Sequence, residues 1–229
     1  MADQDSLKCK AAEKAVEHIE SGMVMGFGTG STFNHVLFIL SEKLKAGEID
    51  NIVGVPTSEK TLALAQELNI PCGTLSEYPV LDLTIDGADE VDNKLNLIKG
   101  GGGALLREKI IAQASKKYFI IVDELKLSDH LGEKWAIPIE IIKIALEVET
   151  NYLQSLGAEV KLRKNKNDEP FITDEGNYIL DANFGVIKNP KKLAKKLNKR
   201  AGIVEHGLFL NLADQVIVAS DKGIKILSK

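Results

Sequence analysis

The 229-residue sequence predicts an α/β protein in which a parallel-sheet domain is interrupted by a smaller α+β domain. Three observations carry that expectation. Short apolar runs alternate with stretches of helical periodicity, the pattern of parallel α/β units. Several apolar runs end in glycine-rich or acidic loops, Gly26-Phe-Gly-Thr-Gly-Ser-Thr32 and Asp86-Gly-Ala-Asp-Glu90 among them, and the carboxyl ends of parallel strands are where such sheets collect ligands. After about Lys126 the character changes to strand-like runs paired through turns.

Ala11, Ala12, Val16 and Ile19 recur at helical spacing, and Gly22 stops that helix before the buried strand Met23–Phe27. Phe33 to Leu44 then reads as a helix with Val36, Leu37, Leu40 and Leu44 on its apolar face. A strand over 52–55, a helix over 58–68, a short strand near 71–75 and a strand over 81–85 follow. Beyond the acidic loop come Leu95–Ile98, four consecutive glycines at 100–103, a helix over 104–114 and the apolar strand Tyr118–Val122. The smaller domain is assembled from 135–141, a helix near 145–156, a strand over 159–163 and the segments 171–173 and 178–181. Two late runs, 207–210 and 215–219, are expected to rejoin the first sheet. The division that results is 1–127 plus 206–229 for the sheet domain and 128–205 for the smaller one.

With 44% hydrophobic residues the chain can bury a substantial core. Its 29 basic and 33 acidic residues give a net charge of −4, which excludes a general nucleic-acid binder. The basic stretch Lys188–Arg200 fits the solvated face of an amphipathic helix, with Leu193 and Leu197 as its apolar stripe. Cys9 and Cys72 are far apart, so neither a disulfide framework nor a zinc cluster is indicated. The amino-terminal residues lack the apolar core of a secretory signal, and no run approaches the roughly 20 apolar residues that span a bilayer. No membrane partner and a cytoplasmic setting are expected.

Three segments offer chemistry. The glycines at 26, 28 and 30 have the wrong spacing for a dinucleotide fingerprint, and no lysine follows as a P-loop requires. What remains is a turn at a helix N-terminus whose amides, with the hydroxyls of Thr29, Ser31 and Thr32, suit a phosphate or a sugar chain; a plain capped turn is the ordinary alternative. Asp86, Asp89 and Glu90 should emerge at the ligand edge because a buried strand precedes them, where carboxylates can hold sugar hydroxyls or move a proton. Their spacing is not that of an EF-hand, and no histidine or cysteine lies beside them to make a transition-metal site.

Lys99 precedes the glycines, and Arg107, Glu108 and Lys109 follow in the next helix. Successive helical residues differ by about 100°, so these three cannot share one direction. Glu108 is the candidate for the inward position, as a base whose oxyanion product Lys99 would stabilise. Lys126, just past the strand 118–122, can reach the same sheet edge.

Together, GFGTGST, DGADEVD and KGGGGALLREK, in this order and with Lys126 after them, resemble the type A ribose-5-phosphate isomerases over essentially the whole chain. The resemblance implies a Rossmann-like domain with an inserted ferredoxin-like α+β domain that serves oligomerisation, in a homodimer or homotetramer. It implies interconversion of D-ribose 5-phosphate and D-ribulose 5-phosphate through a cis-enediolate, with a small-molecule sugar phosphate as partner and neither metal nor organic cofactor. Glu108 matches the family's proton acceptor, with Asp86, Asp89 and Lys99 as the other catalytic candidates. The substrate contacts implied are Thr29, Gly30, Ser31, Thr32, Asp86, Gly87, Ala88, Asp89, Lys99, Gly100, Gly101, Gly102 and Lys126. Two readings compete: a sugar-phosphate deaminase or CoA-transferase-like enzyme on the same core fold, and a phosphosugar-sensing module, for which no helix-turn-helix appendage is recognisable.

Overall fold

The computed structural model describes residues 4–229. In chain order its elements are α1 (Gln4–Val16), β1 (Val24–Phe27), α2 (Ser31–Ala46), β2 (Val53–Pro56), α3 (Glu59–Glu67), β3 (Leu83–Asp86), β4 (Glu90–Val91), β5 (Leu97–Ile98), α4 (Leu105–Gln113), β6 (Tyr118–Asp123), β7 (Ile137–Ile141), α5 (Leu146–Ser155), β8 (Glu159–Leu162), β9 (Tyr178–Asn183), α6 (Pro190–Leu197), β10 (Ile203–His206), β11 (Leu208–Phe209), β12 (Gln215–Ser220) and β13 (Gly223–Ser228).

The chain forms two compact units: one holds the chain up to Ala88 with Arg107–Leu127 and Asn211–Lys229, the other Asp89–Leu106 with Ser128–Leu210. In the first unit a six-stranded sheet runs β13-β12-β6-β3-β1-β2. Its neighbours are parallel except for the edge hairpin β12–β13. All six residues of β6 are buried, as a strand covered on both faces requires. β1 lies between β2 and β3, so the chain leaves β1 toward one side and returns on the other. That reversal opens a crevice at the carboxyl ends of β1 and β3, the position where open α/β sheets bind ligands. The core beneath is built on Phe27, Phe33, Leu37, Leu40 and Ile85, each 0% exposed.

Local signals set the helix ends. The Ser58 hydroxyl accepts the Thr61 amide at 3.1 Å and starts α3, while Gly47, at φ 70, ends α2 with its amide on Leu44. The helix expected to reach Ile19 stops at Val16, and the His18 and Ile19 amides close a turn onto Ala15 and Val16.

In the second unit β10-β7-β9-β8 form an antiparallel sheet, and β11-β5-β4 form a three-stranded antiparallel sheet. Its core is Ile137, Ile139, Ile141, Leu153, Leu180 and Leu197 with their neighbours. Three expectations are corrected. The segment 71–75 makes only one bridge, Gly54 to Cys72, because Glu77 draws the Thr74 amide and hydroxyl into a turn at 2.9 and 2.8 Å. Residues 207–210 do not rejoin the first sheet: Leu208 and Phe209 pair with Ile98 and Leu97 instead. Segment 171–173 is likewise no strand; the Phe171 amide reaches the Arg163 carbonyl and one bridge joins Lys164 to Pro170.

Candidate active site

At the crevice of the first unit, the turn after β1 and the end of β3 are tied together. The Gly28 amide donates to the Ile85 carbonyl at 3.1 Å, and Asp86 Oδ1 accepts the Thr29 amide at 3.1 Å and the Gly87 amide at 2.8 Å. The approach is so close that a Cβ on Gly28 would lie 2.4 Å from Asp86 Oδ1, which is the reason for glycine there. The Thr29 hydroxyl lies 2.7 Å from that of Thr57, donates to Ser58 at 2.8 Å and sits 3.1 Å from Thr61. It locks the turn to the loop after β2, a structural use not foreseen from the sequence. Gly30 brings no side-chain cap to α2, so the helix begins at Ser31 and Thr32 with amides available to an anion.

Asp86 is 0% exposed and receives a third donor, the Tyr118 hydroxyl, at 3.4 Å on Oδ2. Burial raises the Tyr118 pKa well above the phenol range, and the negative charges of Asp86 and Glu108 raise it further. Glu108, in the first turn of α4, is 3% exposed. The first unit therefore gathers Asp86, Glu108 and Tyr118 into one buried acidic cluster. Tyr118 was legible only as a strand residue; the single polar tip in Tyr-Phe-Ile-Ile-Val was the available signal. On either side of Glu108 the expected divergence holds for Arg107, which pairs with Glu59 on α3 at 2.7 Å, whereas Lys109 is buried. Lys126 closes a 3₁₀ turn directly after β6, which neighbours β3, so it stands at the same sheet edge as Asp86.

The second unit holds the other candidates. Asp89 accepts the Gly101 amide at 2.7 Å, and a Cβ on Gly101 would fall 2.5 Å from its carboxylate. The glycine run turns tightly, the Gly103 amide donating to the Gly100 carbonyl at 2.9 Å. Lys99 is 2% exposed; its amide donates to Gly207 and its ammonium stands 5.7 Å from the centre of the Phe209 ring. Gly101 and Gly102 are exposed. Glu90 is corrected: it does not emerge at a ligand edge but is fully buried, collecting the amides of Gly132, Glu133, Lys134 and Trp135 at 2.9 to 3.3 Å. It anchors that loop.

Among the described residues no group of three or more His, Cys, Asp or Glu side chains could hold a metal ion, and no helix is long and apolar enough to cross a membrane. A cavity of about 430 Å³ between α3 and α4, lined by Leu62, Leu75, Ile110 and others, includes none of the candidate residues.

Residues 53–223 match the family model for ribose 5-phosphate isomerase A (phosphoriboisomerase A). The chain is 52% identical over 225 residues to ribose-5-phosphate isomerase A of Desulfatibacillum aliphaticivorans, covering 98% of each chain. It is 48% identical over 221 residues to the protein of that name from Chloroflexus aurantiacus, covering 96% of this chain and 92% of the other. A solved D-ribose-5-phosphate isomerase in complex with phospho-erythronic acid superposes with TM-score 0.97 at 44% identity, all of both chains covered. The ribose 5-phosphate isomerase of Plasmodium falciparum superposes at 0.95 with 40% identity, covering 98% of this chain and 99% of the other.

Proposed function

The chain belongs to the ribose 5-phosphate isomerase A family, and from that membership we propose how its own residues interconvert D-ribose 5-phosphate and D-ribulose 5-phosphate, a step of the non-oxidative pentose phosphate pathway. The C2 proton of the sugar is only weakly acidic until a neighbouring aldehyde can accept charge, so the ring opens first. Asp86 assists by handling the proton of the anomeric hydroxyl. Glu108 then removes the C2 proton. The C2–H electron pair becomes the C1–C2 double bond of a cis-enediolate, and O1 takes the negative charge. A proton passes between O2 and O1, and Glu108 returns its own proton to C1, leaving the ketone at C2.

Lys99 and the amides of the glycine loop stabilise the enediolate oxygens, interactions that strengthen as charge develops. Asp89, Gly87 and Ala88 hold sugar hydroxyls, and the phosphate is taken by Gly30, Ser31 and Thr32 at the uncapped start of α2, with Lys126. Thr29 serves that phosphate by its hold on the turn: its amide is taken by Asp86 and its hydroxyl by the loop after β2. The observation that carries the reading is Glu108 itself: a carboxylate 3% exposed in the first turn of the helix that the glycine loop introduces. The test is incubation of the purified protein with ribose 5-phosphate in EDTA. Ribulose 5-phosphate should form at an undiminished rate, and failure to form any would remove the assignment, leaving a deaminase-like enzyme or a sensor.

The order β7-α5-β8-β9-α6-β10 and the sheet order β10-β7-β9-β8 support reading the smaller domain as ferredoxin-like. Exposed Ile144 (91%) and Val148 (58%) in that domain support its use in a homodimer or homotetramer. Light scattering on the eluted protein should give two or four chain masses; a single-chain mass refutes this. The free Cys9 and Cys72 support a reducing, cytoplasmic setting.

A further inference from the structure

The glycine loop is held from behind by a side chain that none of the three motifs contains. Arg163 follows β8, and its backbone is fixed on both sides: its amide donates to Ile179 at 2.8 Å and its carbonyl accepts Phe171 at 2.8 Å. Its guanidinium forms a two-pronged pair with Asp181 on β9, Nε to Oδ2 at 2.9 Å and Nη2 to Oδ1. The remaining nitrogen, Nη1, donates to the Gly100 carbonyl at 2.8 Å and to the Gly101 carbonyl at 3.1 Å. The Arg163 and Asp181 side chains are 15% and 29% exposed.

A trans peptide points its C=O and N–H in opposite directions. Holding the Gly100 and Gly101 carbonyls on the Arg163 side turns the Gly101 and Gly102 N–H groups toward the opposite side. The Gly101 N–H is seen there, donating to Asp89 at 2.7 Å. The Gly102 N–H belongs to the next peptide and shares that orientation. A loop of glycines has no side chains to fix its peptide planes: the Gly103 amide holds the Gly100 carbonyl from within, and the Gly101–Gly102 plane is held by the guanidinium from outside. A guanidinium can hold both carbonyls and a carboxylate at once, because it presents five donors in a rigid plane; a lysine cannot. Its charge also polarises the two peptides, strengthening their N–H groups as donors.

We propose that the Arg163–Asp181 pair is a positioning device for the isomerisation: it aims the Gly102 amide at the sugar's reacting oxygens and, through the Gly101 amide, fixes Asp89 beside them. The inference rests on the reading of the glycine loop as the holder of those oxygens. Because the amides act most strongly on developing charge, loss of the pair affects kcat rather than KM.

The experiment compares wild type with Arg163→Ala, Arg163→Lys, Asp181→Asn and Lys99→Met by steady-state kinetics on ribose 5-phosphate, with melting temperatures alongside. Arg163→Ala is expected to lower kcat by about 10- to 100-fold, the scale of a misaimed catalytic group, with KM changed by less than about threefold. Adding guanidinium ion at millimolar concentrations to folded Arg163→Ala should restore part of kcat, which a purely structural defect would not allow. Arg163→Lys and Asp181→Asn should fall between, and they carry the test if Arg163→Ala does not fold. Unchanged kcat in Arg163→Ala, or in both conservative variants, while Lys99→Met is impaired, overturns the positioning role alone. If Lys99→Met is also unimpaired, the loop reading falls with it.

Discussion

Glu140 shows how a single buried group makes this protein's stability depend on pH. Its carboxylate is 1% exposed and accepts the Thr173 hydroxyl and the Asn177 amide, each at 2.9 Å. Burial raises its pKa, the two hydrogen bonds oppose that, and the charges of Glu175 and Glu205 add to it. A carboxyl whose folded pKa is raised contributes stability below its unfolded pKa and loses it as pH rises through the folded pKa. Glu140→Gln removes the titration. Its melting temperature should therefore exceed wild type near pH 8, and the difference should shrink as pH falls into the ordinary carboxylate range. A difference that is constant with pH would rule out this origin. At this scale the sequence was legible where a motif supplied context. Helical geometry said only that Arg107, Glu108 and Lys109 diverge; Glu108 was chosen among them for its chemistry beside Lys99, and burial does not single it out, since Lys109 is buried as well. Glu90 was not separable from Asp89: both follow the same strand, and only the distant loop 132–135 shows that one is an internal anchor. Arg163 was invisible for the same reason, since its partners are 18 and about 60 residues away.

Among elements, the turn after β1 is the most constrained. Gly28 packs against the Asp86 backbone and carboxylate, with an added Cβ 2.6 Å from Asp86 Cα and 2.4 Å from Oδ1. Neither can yield without moving the end of β3. Gly28→Ala should thus lower kcat/KM by about tenfold or more through displaced Thr29–Thr32 amides, with a lower melting temperature. Wild-type kinetics in that variant would mean the turn is not part of the site. The helices were read well because their signals are local: the Ser58 cap, the Gly47 stop, and the stripe Val36, Leu37 and Leu40. The two-residue strands were not. β11 has the same apolar character whether it joins the large sheet or pairs with β5, and only the register Leu208 to Ile98 distinguishes the two.

Across the whole molecule, the central sheet follows from apolar runs that end in polar loops, and the order β2-β1-β3-β6-β12 brings the first two glycine and acid motifs to one crevice. The sequence indicated that several motifs would share the carboxyl edge of a sheet. It could not assign each to a compact unit, because the division falls inside the DGAD motif, between Ala88 and Asp89. Full-length agreement with the isomerase relatives supplies the reaction, and the buried carboxylate in α4 is the proton carrier proposed for it. Glu108 is proposed to be that carrier. The most direct test of this role is the turnover of Glu108→Gln, which keeps the side chain's size and removes its basicity. The variant should bind ribose 5-phosphate with near-normal affinity while kcat falls by about 10² or more, the scale of losing a general base. Turnover close to wild type would contradict the account.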